Sequence, residues 1–381
     1  MRIKIVFVTA HVIHGGAEKH LTDLLDGLDR RSIERVVCLG EGWATDQIRE
    51  RGVDLEVIQT GRTGRAILRS AWRLRRVLRH SEAEIVHADG VKAALVCALA
   101  MIDSRKRLIW VKHDFSRSGW LTTFVASRCA RIVVVSSALA ESLGPNARRK
   151  ARVIHNGVDV KAVDRVAGRR LIEQAIGVAD SGLIVALIGR LDPLKGHGEL
   201  LAVASMLVEK HAGLRIVFIG AEDPAHIAYR KELERDIDLL RLRGVVHFLG
   251  YRRDAIELMS GCDVVAIPSV ADRTGMGREG FSYIGLEAMA VGTPVVAYAY
   301  GGPPELLGDC GVLVPPGDRL ALGRAIAELL DRPERHSEIA RRGIDRAARF
   351  SVSAMVQGFE DCYLDLAEEG RGSRRYAEKT R

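Results

Sequence analysis

The sequence predicts an α/β protein made of two doubly wound, Rossmann-like domains facing a central cleft, and three observations predict it. Short β-rich apolar runs alternate with helical segments along the chain, which calls for parallel sheets covered by helices on both faces. The alternation lapses into a charge-rich stretch without strand character between residues 160 and 180, then restarts. A chain of 381 residues also exceeds what one hydrophobic core ordinarily organises, so two domains are expected.

The first strand is IKIVFVTA, closed by HVIHGG, and AEKHLTDLLDGL after it spaces its apolar residues as a helix does. ERVVCLG, AEIVHADG, RLIWVKHD, RIVVVSS and ARVIHNGVD follow as strands, with VKAALVCALAMI and ALAESL among the intervening helices. A boundary near residue 170 assigns 1–170 to the first domain and 171–369 to the second. GLIVALIGR opens the second domain; LLAVASMLVEKH is its first helix, and LRIVFIG, VVHFLG, DVVAIPS, TPVVAYA and GVLVP are its further strands. Helices from about Arg324 to Glu369 complete it, the last being a candidate to pack back onto the first domain. Residues 370–381 read as a flexible tail. Ligands of such folds bind beyond the carboxyl ends of the strands, so the loops there hold the candidate chemistry.

Composition narrows the class. With 47% hydrophobic and 28% charged residues, extensive disorder is excluded. The longest apolar run, Ala93–Ile102, is too short to span a bilayer, and MRIKIVFVTA leads into HGGAEKH rather than a cleavage site. The expectation is a cytoplasmic protein, or one at the inner face of the cell membrane. The six cysteines are isolated, as buried thiols in a reducing compartment are, with no spacing for a metal or redox pair. Residues 1–170 carry 31 Lys+Arg against 18 Asp+Glu, and the remainder 26 against 31. The first half is therefore the basic one, which suggests an anionic partner there.

Three stretches carry candidate chemistry. In IGRLDPLKGH, Arg190 and Lys195 leave the first strand of the second domain in a short, Pro-stiffened loop; two cations converging there suit a diphosphate, and a solvated surface loop is the alternative. In RTGMGREGFSYIGLEAMAVGTPVVA, the glycines Gly275, Gly277 and Gly280 permit close backbone approach to a ligand, and a helix begins near Ser282. Glu279 and Glu287 lie in an otherwise small and apolar run. A carboxylate in such surroundings costs several kcal/mol unless compensated, so Glu287 reads either as the ligand of a vicinal diol, such as a ribose or a pyranose, or as half of an internal ion pair. Glu305 reads as a helix-start carboxylate. In the first domain, Gly15 and Gly16 sit between the first strand and first helix without the three-glycine dinucleotide fingerprint, so a nicotinamide cofactor is poorly supported. His113 and Asp114 close the strand RLIWVKHD.

Taken in order, HGGAE, KHD, IHNGVD, GRLDPLKG, HFLGY, EGFSYIGLEAMAVGTPVVA and GGPPE resemble the retaining nucleotide-sugar glycosyltransferases of family 4, which have the two-Rossmann-domain GT-B architecture. The resemblance covers nearly the whole chain, and its Glu-x7-Glu element is the most specific part. It implies that Arg190 and Lys195 bind the donor pyrophosphate and Glu287 the ribose hydroxyls. It further implies that Glu279, with the amides of Gly280, Phe281 and Ser282, holds the transferred sugar, with Gly15 and Gly16 near the phosphate and His113 by the sugar. A nucleoside-diphosphate sugar and a hydroxyl acceptor are then the partners, with no cofactor, no essential metal and no nucleic acid. A non-hydrolysing nucleotide-sugar epimerase or an inactive transferase-like binding subunit is the alternative. The chain departs from the family pattern twice: GAEDP stands where many relatives have Gly-x-Gly, and Ser282 where a second glycine commonly follows the EGF element.

One segment, TGRAILRSAWRLRRVLRH, forms an amphipathic helix by pattern. Arg62, Arg65, Arg69, Arg73 and Arg76 fall within an arc of about 80°, opposite Ile67, Ala71, Leu74 and Leu78. Trp72 projects at the edge of the arginine face. A Trp among arginines suits an anionic membrane surface, with a lipid-linked acceptor, and a plain solvated face is the alternative.

Overall fold

The computed structural model describes residues 3–11, 15–61, 63–116, 119–159, 162–180, 182–272 and 277–379, the last nine of these by backbone only. Arg62 and Gly275 lie outside the described residues. The chain divides into two compact units, Met1–Gly157 with Val352–Arg381, and Val158–Ser351.

The first unit runs β1 (Ile5–Thr9), α1 (Gly16–Gly27), β2 (Ile33–Cys38), α2 (Trp43–Glu50), β3 (Leu55–Val57), α3 (Gly64–Arg79), β4 (Ile85–Asp89), α4 (Val91–Ala100), β5 (Arg107–Lys112), α5 (Trp120–Arg128), β6 (Arg131–Val134), α6 (Ser137–Glu141), α7 (Pro145–Arg148) and β7 (Ala151–Val153). Its strands form one parallel sheet in the order β3-β2-β1-β4-β5-β6-β7. Every residue of β1 and β4 is buried, because helices cover both faces of the sheet. The strand order reverses between β1 and β4, and there Thr9 pairs in register with Asp89. Two polar residues thus meet at the carboxyl ends of the central strands, where doubly wound sheets bind ligands.

The second unit runs α8 (Arg165–Ile176), β8 (Ile184–Ile188), α9 (His197–Lys210), β9 (Arg215–Ile219), α10 (Tyr229–Leu239), β10 (Val246–Gly250), α11 (Ala255–Ser260), β11 (Val264–Ile267), α12 (Tyr283–Ala290), β12 (Val295–Tyr298), α13 (Pro303–Leu307), β13 (Val312–Val314), α14 (Arg319–Asp331) and α15 (Pro333–Ala347). Its parallel sheet has the order β10-β9-β8-β11-β12-β13 and reverses between β8 and β11. Helix α16 (Val352–Lys379) is grouped with the first unit, burying Met355, Val356, Phe359, Cys362, Tyr363, Leu366 and Ala367 in that unit's core.

Two boundaries differ from the sequence reading. The division after Gly157 precedes residue 170, which falls inside α8. That helix belongs to the second unit because Arg165 and Arg169 both bind the Asp263 carboxylate, which also accepts from the Ile184 amide at 2.7 Å. Gly168 allows the close approach: a Cβ there would lie 2.3 Å from the Glu257 carbonyl oxygen. At the other end, the residues read as a tail continue α16 as helix to Lys379, since Glu, Arg, Ala and Lys are strong helix formers.

Candidate functional site

In the second unit the candidate side chains gather beyond β8, β9 and β11. After β8, Asp192 Oδ1 accepts from the Leu194 amide at 2.9 Å and starts a single 3-10 turn, Pro193–Lys195. Gly196 ends it at φ +80°, packed so that a Cβ would lie 1.9 Å from the Pro268 carbonyl oxygen. The turn fixes the stem of Lys195, whose Nζ donates to Glu279 Oε1 at 2.7 Å. The same oxygen accepts from Ser269 Oγ at 2.8 Å. Burial raises the cost of ionising Glu279, but Lys195 and Ser269 outweigh it and hold the carboxyl below its usual pKa.

Arg190 goes elsewhere. Its Nη1 donates to Asp223 Oδ2 at 2.7 Å, and Asp223 is fixed in turn by accepting from the Ala225 amide at 2.9 Å. Asp223 follows β9 within GAEDP, the stretch where the family pattern has glycines. The loops carrying these two residues are joined by a bridge between Leu191 and Glu222. Asp192, Asp223 and His226 are the one group among the described residues whose ligand-type atoms lie within 4.8 Å of one another. Asp223 already neutralises a guanidinium there, which weakens the case for a cation.

The chain from Glu279 to Glu287 is held by backbone as much as by side chains. Gly302 donates its amide to the Glu279 carbonyl at 2.8 Å. A Cβ on Gly302 would lie 2.3 Å from the Gly280 carbonyl oxygen, so glycine is required by the close approach. Phe281 is buried against Phe350, ring centroids 5.3 Å apart. Ser282 sits at φ +83° and caps α12 by accepting from the Gly285 amide at 3.2 Å. It occupies the left-handed region with a side chain, a strained arrangement of the kind that collects at ligand sites. Glu287 lies on α12 at 8% exposure between buried Leu286 and Ala288. Glu305 falls in the first turn of α13.

In the first unit, Gly15 and Gly16 form the N-terminus of α1, Gly15 with extended backbone. His113, just past β5, donates from Nε2 to Asp89 Oδ1 at 2.5 Å. Asp89 is completely buried and also accepts from Thr9 Oγ1 at 3.3 Å. Three further histidines surround the pair. The His11 and His20 rings lie 6.1 and 4.8 Å from that of His113. His20 Nδ1 bonds Asn156 Oδ1 at 3.0 Å, and His87 Nδ1 bonds the Tyr363 hydroxyl at 2.7 Å. Burial pushes His20 down to about 3 and His87 down to about 4, so both are neutral. Burial also acts against the proton on His113, yet Asp89 prevails and raises its pKa. Asp114 is exposed and bonds the Ser116 amide at 3.0 Å in a turn.

Sequence reasoning found His113 but missed Asp89, Thr9 and Asn156. AEIVHADG was read as a plain strand, and only the register of β1 on β4 sets Asp89 beside Thr9 and β5. The signal available was an acidic residue ending an apolar strand. On α3, Ala71, Leu74 and Leu78 are buried and Arg65, Arg69, Arg73 and Arg76 are exposed. Trp72 is 57% exposed beside Leu68 at 60%, with the Arg76 guanidinium 5.0 Å from its ring centre.

Comparison with known proteins bears on the family and the fold. Residues 169–346 match the family described as Glycosyl transferases group 1, and residues 14–162 match Glycosyltransferase Family 4. A D-inositol 3-phosphate glycosyltransferase of Saccharomonospora viridis is 30% identical over 263 residues, which is 65% of this chain and 58% of that protein. One from Mycolicibacterium smegmatis is 32% identical over 246 residues, 63% of this chain and 54% of that protein. The chain thus spans little more than half the length of these curated relatives. Among solved structures, Anabaena HepE in complex with UDP-glucose has a TM-score of 0.83 at 25% identity, over 96% of this chain and all of that one. From its sequence matches and its two parallel sheets, the chain belongs to the family 4, group 1 glycosyltransferases and has their GT-B fold.

Proposed function

We propose that the protein is a retaining glycosyltransferase that moves a sugar from a nucleoside-diphosphate sugar, of the UDP type, to an acceptor hydroxyl. The observation that carries this reading is the Lys195–Glu279–Ser269 cluster with Arg190 beyond the strand ends of one sheet. Two cations next to a carboxylate suit a donor that is anionic at its diphosphate and rich in hydroxyls at its sugar. Arg190 and Lys195 bind the diphosphate, and Glu279 with the amides of Gly280, Phe281 and Ser282 holds the sugar. Glu287 accepts from the ribose hydroxyls. The family resemblance assigns Gly15 and Gly16, at the start of α1, to the phosphate and His113 to the sugar.

In the reaction the bond from the anomeric carbon to the diphosphate oxygen breaks, and its electron pair stays with the diphosphate. The acceptor oxygen forms the new bond on the same face, and its proton passes to a diphosphate oxygen. Charge grows on the leaving group as the bond lengthens, so fixed cations lower the barrier more than they tighten ground-state binding. Arg190 and Lys195 supply that charge in place of a metal. The test is release of nucleoside diphosphate from a panel of nucleotide sugars, with and without hydroxyl acceptors, in buffer containing EDTA. Acceptor-dependent release and a product with the donor's anomeric configuration support the reading; release without transfer, or inversion, overturns it.

The exposed Leu68 and Trp72 among the arginines of α3 support a peripheral contact with anionic membrane, and with it a lipid-linked acceptor in glycan or glycolipid synthesis. Cosedimentation with anionic but not neutral vesicles, lost in an Arg69→Glu, Arg73→Glu double variant, is the expected result. Equal recovery in every supernatant rejects it.

A further inference from the structure

The segment from Glu279 to Ser282 is held from one place outside it, the carboxyl-terminal end of α15. Helix α13 has only five residues, too few to hold itself in position, so its two ends decide where it lies. At its start, the Gly302 amide donates to the Glu279 carbonyl at 2.8 Å, and a Cβ on Gly302 would lie 2.6 Å from the Phe281 Cα. At its end, Arg346 of α15 donates from Nε to the Leu306 carbonyl at 2.8 Å and from Nη2 to the Glu305 carbonyl at 2.6 Å. A helix leaves such carbonyls without partners of its own, and a cation beside them also meets the negative end of the helix dipole. Arg346 therefore fixes α13, and α13 fixes Glu279.

A second contact reaches the same segment. The Arg346 guanidinium carbon lies 5.5 Å from the ring centre of Phe350, one turn further along the chain. The Phe350 ring meets that of Phe281 edge-on, centroids 5.3 Å apart and planes at 68°, a preferred arrangement for aromatic pairs. Phe350 is itself anchored, because its amide donates to the Ala347 carbonyl and its carbonyl accepts from the Val158 amide, both at 2.9 Å. Phe281 is buried and carries one of the amides assigned to the sugar. The cations assigned to the diphosphate are seated by other elements, Lys195 by the turn that Asp192 starts and Arg190 by Asp223.

We propose that Arg346 and Phe350 are positioning residues: they brace Glu279 through α13 and Phe281 through ring packing, and so set where the carboxylate and amides of Glu279–Ser282 stand. The positioning role rests on the reading above that this segment holds the transferred sugar; the brace itself does not. Each residue acts at one remove, since neither belongs to the segment. The residue types matter. A guanidinium presents its donors in a fixed fork that serves two neighbouring carbonyls at once, whereas a lysine ammonium is a point charge on a flexible stem. A leucine in place of Phe350 keeps an apolar side chain but offers Phe281 no aromatic face or edge. Displacing a reacting group by about 1 Å costs about 10²-fold in rate, which is the scale on which a loosened brace is felt.

The experiment compares Arg346→Lys and Phe350→Leu with the wild type, each in the full chain, by amide hydrogen exchange and by kinetics. Without any ligand, the Gly302, Leu306 and Gly308 amides should exchange about tenfold faster in Arg346→Lys. In Phe350→Leu a similar rise, about tenfold, is expected at the Gly285 and Leu286 amides, which bond Ser282. The amides of β8 and α9 should keep their wild-type rates in both. With the nucleotide sugar that the wild type turns over, kcat should fall about 10- to 10²-fold in each variant. The Kd for UDP alone should stay within about threefold, because the groups assigned to the nucleotide are seated elsewhere. Phe350→Tyr, which keeps the ring, should restore turnover. Ile339→Val, on the buried face of α15, registers what lost stability alone does and should keep the wild-type kcat. Unchanged exchange in the folded variants overturns the brace. Faster exchange with kcat within about threefold of wild type overturns the positioning role and leaves the nucleotide-sugar reading standing. A loss of UDP affinity as large as the loss in kcat, or an equal loss in Ile339→Val, makes the two residues merely structural and overturns the proposal as well. A wild type that binds no UDP refutes the nucleotide-sugar reading and the positioning role with it, while exchange still decides the brace. Each variant is read by itself, so failure of one to fold leaves the other to decide.

Discussion

Lys195→Ala separates catalysis from stability because the side chain serves both. In the empty protein Nζ lies 2.7 Å from Glu279 Oε1, the lysine side chain 33% and the glutamate side chain 15% exposed. At that distance and an effective dielectric constant of about 20, the gross attraction is about 6 kcal/mol, most of it offset by the desolvation of both ions. Among the described residues, removing the lysine leaves Ser269 as the remaining side-chain hydrogen-bond partner of the carboxylate. The expected loss of stability is about 1–3 kcal/mol, below that of a fully buried pair because one partner reaches solvent. The loss depends on pH. In the wild type the Glu279 pKa is depressed, so the stabilisation is present above the unfolded carboxyl pKa and is lost as pH falls through the folded one. In Lys195→Ala the Lys195 charge no longer offsets burial and only the weaker Ser269 hydrogen bond is known to remain, so the pKa rises and the variant is penalised at neutral pH and relieved as the carboxyl protonates. The gap between the two should therefore be widest near pH 7 and narrow toward pH 4, as urea denaturation at a series of pH values would register. Catalysis should suffer more. Loss of a fixed cation facing the developing diphosphate charge corresponds to a fall in kcat of about 10² to 10³, measured as nucleoside diphosphate release at saturating donor. A folded Lys195→Ala protein with turnover within about threefold of wild type would refute the assignment, and a stability gap independent of pH would refute the ion-pair reasoning.

Two other substitutions test neighbouring parts of the site. Glu287→Gln should weaken nucleoside diphosphate binding about tenfold or more by calorimetry while the melting temperature of the empty protein stays near wild type; a large loss of stability with unchanged affinity would make Glu287 a structural ion-pair partner instead. Ser282→Gly should be nearly neutral in stability, because relief of the φ +83° backbone offsets the lost cap, whereas Ser282→Ala keeps the strain and loses the cap at a cost of about 1 kcal/mol; equal stabilities for the two by thermal unfolding would contradict the strain argument.

Much of this architecture could be read before any coordinates, and the reasons differ between elements. Strands such as IVFVT and IVALI are apolar runs bounded by polar and glycine residues, so local pattern determines them. Lys195 and Glu279 were legible as candidates because their residue types are out of place in their surroundings. Their hydrogen bond was not, since 84 residues separate them. The same holds for Asp89 and His113, whose adjacency depends on β4 and β5 being neighbours in the sheet. Arg190 was read as a diphosphate ligand, and nothing in the local pattern announced that GAEDP would supply Asp223 as its partner. Helix α8 was misplaced because its packing rests on Gly168 and on Asp263, a carboxylate far along the chain.

The return of α16 to the first unit has a consequence for the order in which the protein is made. The core around Leu21, Leu24, Ile85 and Ile109 includes Phe359, Tyr363 and Leu366, residues that leave the ribosome after the whole of the second unit. Chains that emerge one domain at a time ordinarily finish the earlier domain first. Here the later unit, Val158–Ser351, is complete in sequence while the earlier one still lacks a helix and the hydroxyl of Tyr363 that bonds His87. The nascent first unit is therefore an unfinished core with an uncovered apolar face until α16 emerges, and a ribosome stalled before residue 352 holds a chain whose second unit can close and whose first unit still depends on chaperones.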